Sequence, residues 1–204
     1  MKKFLIVIVF LMGIVFNSSS STCPQYYTPA SVSFDYWNGN EYCSITVYYC
    51  RKLSDDGYST LVDRVDAEIP CMANNIFDEN LWIQVNQAVL NDLPIDQFPP
   101  CPSFEFLYEY KKALCWRLHN TPGANFTAVF EICNYDGLCV CEFTACVERD
   151  ANGNNPHVKL TPTINGCEPN ISPECPVSVP QVPPTGFTWA QEWTTTCYTG
   201  ACTY

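Results

Sequence analysis

The sequence predicts a mainly β, disulfide-rich fold of antiparallel hairpins and a meander, with one amphipathic α-helix. Alternating apolar and polar residues recur in several segments that Asn-Gly and Asp-Gly turns separate, which is the pattern of half-buried strands. A single segment shows helical spacing instead. The chain contains 14 cysteines, all after residue 22, and this even number can form seven disulfides.

The first 21 residues are interpreted as a cleavable signal peptide. Lys2 and Lys3 precede an apolar run at 4–16, and small polar residues follow it at 17–22. The run is shorter than the roughly 20 residues that a membrane-spanning helix needs. Since disulfides persist in oxidising compartments, we expect a secreted, periplasmic or cell-surface protein. No later segment is long and apolar enough to insert into a membrane after cleavage.

The first hairpin is the strongest structural prediction. Segments 32–37 and 41–49 alternate in polarity, and Asn38-Gly39 is a favoured two-residue turn. Such a turn places Phe34 opposite Cys43 and Val32 opposite Ile45. The second strand continues through residue 50, and a turn at 54–57 leads into a further strand at 58–69, for which a helix is the alternative.

A helix is predicted at 79–91, because apolar residues recur there every three or four positions. Asp78 is the expected N-cap, and Pro94 ends the helix since proline lacks the backbone donor. After Cys101, apolar and polar residues alternate again, which is the pattern of a β-strand. We expect a meander of three or four strands there, at 104–118, 126–133, 139–149 and 157–164.

Domain organisation follows from composition. Residues 22–166 form the predicted disulfide-stapled β-rich domain, and the proline-rich stretch at 167–186 is the predicted linker. Residues 187–204 are expected to form a strand that packs back on the domain, because a free tail would leave two tryptophans in water. An attachment element is the alternative.

The cysteines are expected to be structural. The chain has no Cys-x-x-Cys motif and only two histidines, so neither a zinc knuckle nor c-type haem attachment is favoured, and no cofactor is expected. Local geometry favours bridges within short segments. The candidate pairs are Cys71 with Cys101, Cys133 with Cys139, Cys167 with Cys175, and Cys197 with Cys202.

The charge excludes several partner classes. Without Lys2 and Lys3 the chain carries eight basic and 21 acidic side chains, a net charge of about minus thirteen. Nucleic acid and anionic lipid surfaces would be repelled, because binding to either relies on basic patches. A protein or a glycan remains possible as partner, and so does a cation.

Two acidic groups are candidates for cation binding. Asp150, Asn152 and Asn154 resemble the opening of a calcium loop. Asn155 stands where that loop requires glycine and Thr161 where it requires glutamate, so a hairpin turn is favoured and no metal site is expected. Three further acids, Asp63, Asp66 and Glu68, are interpreted as a solvated strand edge.

Catalytic motifs are weak, and the expected protein is not an enzyme. Cys115 and His119 would lie about 13 Å apart on a strand, too far for a nucleophile and its base. The chain contains no Gly-x-Ser-x-Gly motif. Carboxylate pairs of the kind that glycosidases use occur by chance among 21 acids; two such pairs are Glu105 with Glu109 and Glu131 with Glu142.

Aromatic residues give the leading functional hypothesis. Tyrosines crowd the first hairpin, and Tyr42 and Tyr48 share one face with Ser44 and Thr46. Exposed rings on a sheet offer large contact areas at low conformational cost. The candidate binding residues are Trp37, Tyr42, Tyr48, Trp189 and Trp193. We therefore expect an exported structural, adhesive or binding module; a secreted hydrolase and a protease-resistant inhibitor or effector are the alternatives.

Overall fold

A computed structural model describes residues 23–68, 79–102, 105–122, 127–135, 137–150, 152–172, 175–200 and 202. The predicted signal peptide, Cys71 and Asp78 lie outside these ranges. The mainly β class with one α-helix is confirmed. The strands are β1 (Thr28–Trp37), β2 (Tyr42–Ser54), β3 (Gly57–Glu68), β4 (Leu107–Ala113), β5 (Cys115–Thr121), β6 (Thr127–Ile132), β7 (Leu138–Glu148), β8 (His157–Pro169), β9 (Trp193–Thr194) and β10 (Tyr198–Thr199).

The first hairpin forms, but its register differs from the predicted one by two residues. Phe34 lies opposite Ile45, and Tyr36 lies opposite Cys43. The Asn38 side chain accepts hydrogen bonds from the backbone N–H groups of Asn40 (2.8 Å) and Glu41 (2.9 Å), and the Asn38 backbone N–H donates to the Glu41 carbonyl at 3.1 Å. These bonds stabilise the four-residue loop at 38–41. A shift of two keeps every side chain on its predicted face.

The sheet branches at β3, and the predicted meander forms only in part: β5 pairs with β6 and β7 pairs with β8, but β6 and β7 are not neighbours. One edge of β3 pairs with β2 along its length. The other edge pairs first with β4, in parallel, and then with β6, antiparallel. Asp63 is the extra residue of a β-bulge at the point where the partner changes. The predicted strand at 104–118 is interrupted at Leu114, so β4 joins β7 while β5 joins β6.

The helix, α1 (Glu79–Asp92), confirms the predicted one at 79–91. Its apolar face is buried and includes Leu81, Val85 and Val89. It contacts β1 and β2 and covers one side of the sheet. In the part of the chain that the structure describes, no helix has the length and hydropathy required to cross a membrane.

The disulfides connect distant segments, and the four predicted pairings are wrong. Cys101 is bonded to Cys146, and three further bridges hold Cys115 to Cys175, Cys133 to Cys197 and Cys139 to Cys202. These four span 45 to 64 residues of sequence. Cys23–Cys50 and Cys141–Cys167 complete the described bridges. Cys43 is disulfide-bonded as well, and among the described cysteines none is free.

The proline-rich stretch is attached to the sheet at its first residue and again near its middle. Strand β8 continues to Pro169, past the predicted linker boundary at 167, because Cys167 lies opposite Cys141 and is bonded to it. Farther along, Cys175 is bonded to Cys115 at the start of β5. Strands β9 and β10 then pair with β5, so the C-terminal segment packs on the body of the fold.

Candidate functional site

The side of the β1–β2–β3 sheet opposite α1 carries the candidate site. Because side chains alternate along a strand, Tyr36, Cys43, Ile45 and Val47 face the core, and each is at most 2% exposed. Their neighbours form a surface that we call the outer face. It comprises Ser31, Ser33, Asp35 and Trp37 of β1, Tyr42, Ser44, Thr46 and Tyr48 of β2, and Arg64, Asp66 and Glu68 of β3.

Two aromatic side chains stand at the hairpin end of the outer face. Trp37 and Tyr42 are directly opposite each other in the register. Their ring centroids are 4.9 Å apart at an interplanar angle of 54°, and the two residues are 48% and 68% exposed. The contact holds both rings in place. This aromatic pair therefore presents ordered apolar surface to solvent.

Hydroxyl groups occupy the middle of the outer face. Ser33 and Thr46 lie opposite each other and share a hydrogen bond of 2.9 Å. In the next row toward the loop, Asp35 lies opposite Ser44. The backbone N–H of Ser44 donates to the Glu68 carboxylate at 3.2 Å. The middle of the face thus offers both donors and acceptors at defined positions.

Tyr48 lies farther along β2 and is half-buried. The Arg64 guanidinium stands over its ring, 5.3 Å from the centroid. Arg64 in turn donates two hydrogen bonds to Asp66, at 2.5 and 2.8 Å, and these raise the pKa of the Arg64 guanidinium. Asp66 therefore belongs to a bidentate ion pair on a central strand, and the interpretation of Asp63, Asp66 and Glu68 as a solvated edge is wrong for Asp66.

The two C-terminal tryptophans lie elsewhere. Trp193 is 4% exposed, and its indole N–H donates to the Thr188 carbonyl at 3.1 Å. Trp189 is half-buried beside it, with ring centroids 5.1 Å apart. Asn120 donates to the Trp189 carbonyl at 3.0 Å and holds this segment on β5. This corrects the placement of Trp193 on a binding surface, because its ring packs in the core.

The calcium candidate forms a hydrogen-bonded loop between β7 and β8. The Asp150 carboxylate accepts from the backbone N–H groups of Asn152 (3.1 Å) and Asn154 (2.6 Å). It also accepts from the Asn155 side chain at 3.2 Å. These bonds are those of a capped hairpin turn. Within the described ranges, no group of three or more His, Cys, Asp or Glu side chains could hold a metal ion.

The candidate nucleophile Cys115, its histidine and one carboxylate of each candidate pair are engaged in structural contacts. Cys115 is bonded to Cys175, and His119 makes hydrogen bonds with the hydroxyls of Thr194 (2.7 Å) and Thr121 (2.8 Å). Among the acids, Glu109 pairs with Lys111 at 2.7 Å, and Glu131 pairs with Arg117 at 2.9 Å. Glu142 lies opposite Glu109 on β7, and Glu105 precedes β4.

Two concave surfaces were not anticipated from the sequence. A cleft of about 690 Å³ between the 3₁₀ turn Ile95–Gln97 and the end of β7 is lined by Asp96 and Glu148. A smaller groove of about 260 Å³ is lined by Tyr27, Lys52 and Lys111. No local spacing could have revealed either surface, since each combines residues that are far apart in the chain.

Sequence reasoning found the aromatic half of the outer face and missed its ionic half. The alternation in 41–49 placed Tyr42 and Tyr48 on one face, and the structure agrees. The contribution of Arg64 depends on the bulge at Asp63, which reverses the alternation within β3. A bulge leaves no reliable signal in a single sequence.

Comparisons with protein-family models, with curated proteins and with solved structures find no match for this chain. The geometry of the outer face is therefore the basis on which a function can be assigned.

Proposed function

We propose that the protein is an exported binding or adhesive module that contacts its partner through the outer face. The supporting observation is the aromatic pair, in which Trp37 and Tyr42 stay 48% and 68% exposed although they contact each other. Exposed aromatic side chains surrounded by polar groups are enriched at binding surfaces and supply much of their affinity. Scattered single aromatics would need no such explanation.

The remainder of the fold supports this role. The disulfide density fits an extracellular protein, because such bonds persist in oxidising compartments. Cys43 and Cys50, at two positions along β2, are both disulfide-bonded. A β2 strand anchored in this way presents its outer face with little ordering cost on binding.

The test is a binding assay of the mature chain on immobilised surfaces: uncharged polysaccharides, anionic polysaccharides and extracellular-matrix proteins. We expect retention on at least one surface and a loss of at least about tenfold in the double variant Trp37→Ala/Tyr42→Ala. Phe187→Ala is the matched control, because Phe187 is 47% exposed and lies on the C-terminal segment. Near-UV circular dichroism verifies that all variants fold. Undiminished binding by the double variant would refute the proposal.

The alternative of a secreted hydrolase has one supporting observation, namely that Asp96 and Glu148 line the same cleft. Two carboxylates in a concave site are the minimum that glycoside hydrolysis requires. Glu148 is, however, bound to Lys159 at 3.0 Å and lies 3.8 Å from His157. A reducing-sugar assay with wild type and Glu148→Gln decides this alternative: turnover that the substitution abolishes would support it.

A further inference from the structure

The chemistry of the outer face changes along β2. Its hairpin end is aromatic, its middle carries hydroxyls, and its far end carries the Arg64–Asp66 ion pair beside Tyr48. Tyr42 and Tyr48 are six residues apart, which is about 20 Å at roughly 3.3 Å per residue. A ligand that contacts all three zones must therefore be elongated.

A sugar ring has two kinds of surface that match these zones. One face of the ring exposes C–H groups, which pack against an aromatic ring, and the rim exposes hydroxyls, which both donate and accept hydrogen bonds. Trp37 and Tyr42 provide the first contact, and Ser33, Thr46 and Glu68 provide the second. We infer that the ligand of the outer face is an uncharged glycan chain, bound along β2 from the aromatic pair toward Tyr48, and this inference rests on the binding role proposed above.

Charge favours an uncharged polymer over an anionic one. The chain has a formal net charge of −11, and the outer face itself carries Asp35 and Glu68, whose carboxylates no lysine or arginine neutralises among the described residues. Arg64 is its single cation, and Asp66 neutralises it. A polyanion brought to this surface would meet like charges.

A protein partner fits the same surface less well. The centre of a protein interface is depleted in charged residues and is usually larger and more apolar than two rings. On the outer face, the rows beyond the aromatic pair carry Asp35, Glu68 and the Arg64–Asp66 pair. A glycan tolerates these groups because its hydroxyls can satisfy them.

The experiment is isothermal titration of the mature protein with cello-, chito- and xylo-oligosaccharides of two to six residues. We expect at least one series to bind, with Kd falling about tenfold from the shortest to the longest member, since longer chains reach more of the polar zone. Raising NaCl to 0.5 M should change Kd less than about twofold, because no charge is neutralised.

Two variants locate the ligand. Trp37→Ala should weaken every length at least about tenfold. Thr46→Val keeps the side-chain shape but removes the central hydroxyl, so it should weaken the long oligosaccharides about threefold to tenfold and leave the disaccharide unchanged. Phe187→Ala, the control, should change neither the affinity for the disaccharide nor that for the longer oligosaccharides.

The outcomes separate this inference from the proposed function. If no uncharged oligosaccharide binds while a protein or an anionic polysaccharide binds in a Trp37-dependent manner, the glycan inference is wrong and the binding role stands. If nothing tested binds in a Trp37-dependent manner, both are wrong. Binding that does not depend on chain length would refute the placement along β2.

Discussion

Replacing Lys112 with methionine should stabilise the protein at neutral pH. Lys112 is on β4 and is 2% exposed, and its amine lies 5.0 Å from the centroid of the Trp82 ring of α1. Among the described residues no carboxylate forms an ion pair with it. Burial lowers the pKa of Lys112 from its ordinary value of 10.5 to about 8, and Glu79 at the start of α1 partly opposes the shift.

The size of the stabilisation expected for Lys112→Met follows from the lowered pKa of Lys112. At about 1.4 kcal/mol per pH unit, the shift corresponds to about 3 kcal/mol of unfavourable free energy for the charged amine at pH 7. The cation–π contact with Trp82 offsets about 1 to 2 kcal/mol. Methionine has a similar length and no charge. We therefore expect Lys112→Met to raise the free energy of unfolding by about 1 to 2 kcal/mol.

The stability advantage of Lys112→Met over wild type should decrease as the pH rises. Between pH 8 and 10.5 the unfolded chain holds the Lys112 proton more tightly than the folded chain, so the wild type gains stability as the pH rises. The methionine variant has no ionisable group at this position, so its stability does not rise with pH in this way. The stability difference between the two proteins should therefore be smaller at pH 10 than at pH 7.

Urea unfolding at pH 7 and pH 10, followed by circular dichroism, measures both quantities. Lys52→Met is the control, since Lys52 is exposed and its replacement should change stability by less than about 0.5 kcal/mol at either pH. A Lys112→Met variant that is less stable than wild type at pH 7, or whose difference from wild type is the same at pH 10, would show that the buried charge of Lys112 does not destabilise the protein.

Three further substitutions test the fold by thermal or urea unfolding. Gly57→Ala should lower the free energy of unfolding by about 3 kcal/mol or more, because the added Cβ would lie 2.0 Å from the Leu107 carbonyl oxygen. A loss below about 1 kcal/mol would show that β3 and β4 do not approach so closely. Tyr49→Phe should lower the free energy of unfolding by about 1.5 kcal/mol, because the Tyr49 hydroxyl donates to the Asp92 carboxylate at 2.6 Å at the end of α1. Unchanged stability would argue against this hydrogen bond. Asn38→Ala should lower the free energy of unfolding by about 1 kcal/mol, because it removes the two loop hydrogen bonds of the side chain. Asn38→Asp keeps the acceptor oxygen and should restore most of this loss. Equal losses in both variants would contradict the four-residue loop.

Local features of the fold could be predicted from sequence, and long-range ones could not. The helix at 79–91 was predictable because its apolar period depends on neighbouring residues only. The hairpin loop was mispredicted because the hydrogen bonds of the Asn38 side chain, rather than the Asn-Gly pair alone, set its length. Pairing in the sheet depends on the interruption at Leu114 and the bulge at Asp63, which a polarity pattern does not reveal.

The disulfides illustrate the same limit. The predicted pairs joined cysteines close in sequence, whereas Cys133 is bonded to Cys197 and Cys139 to Cys202, 64 and 63 residues away. The C-terminal segment packs on the domain as expected, but its register against β5, which brings these cysteines together, has no local signal in the sequence. The same docking buries Trp193, which therefore cannot contribute an exposed ring to the candidate site.

The most direct test of the binding role is hydroxyl-radical footprinting of the mature protein with and without a saturating bound ligand from the surface assay. Trp37 and Tyr42 should become protected from oxidation in the complex, while Tyr26, which is 78% exposed and lies outside the outer face, should be oxidised equally in both states. Protection of the half-buried Ile95 in the Asp96–Glu148 cleft, with Trp37 and Tyr42 unprotected, would contradict the binding role.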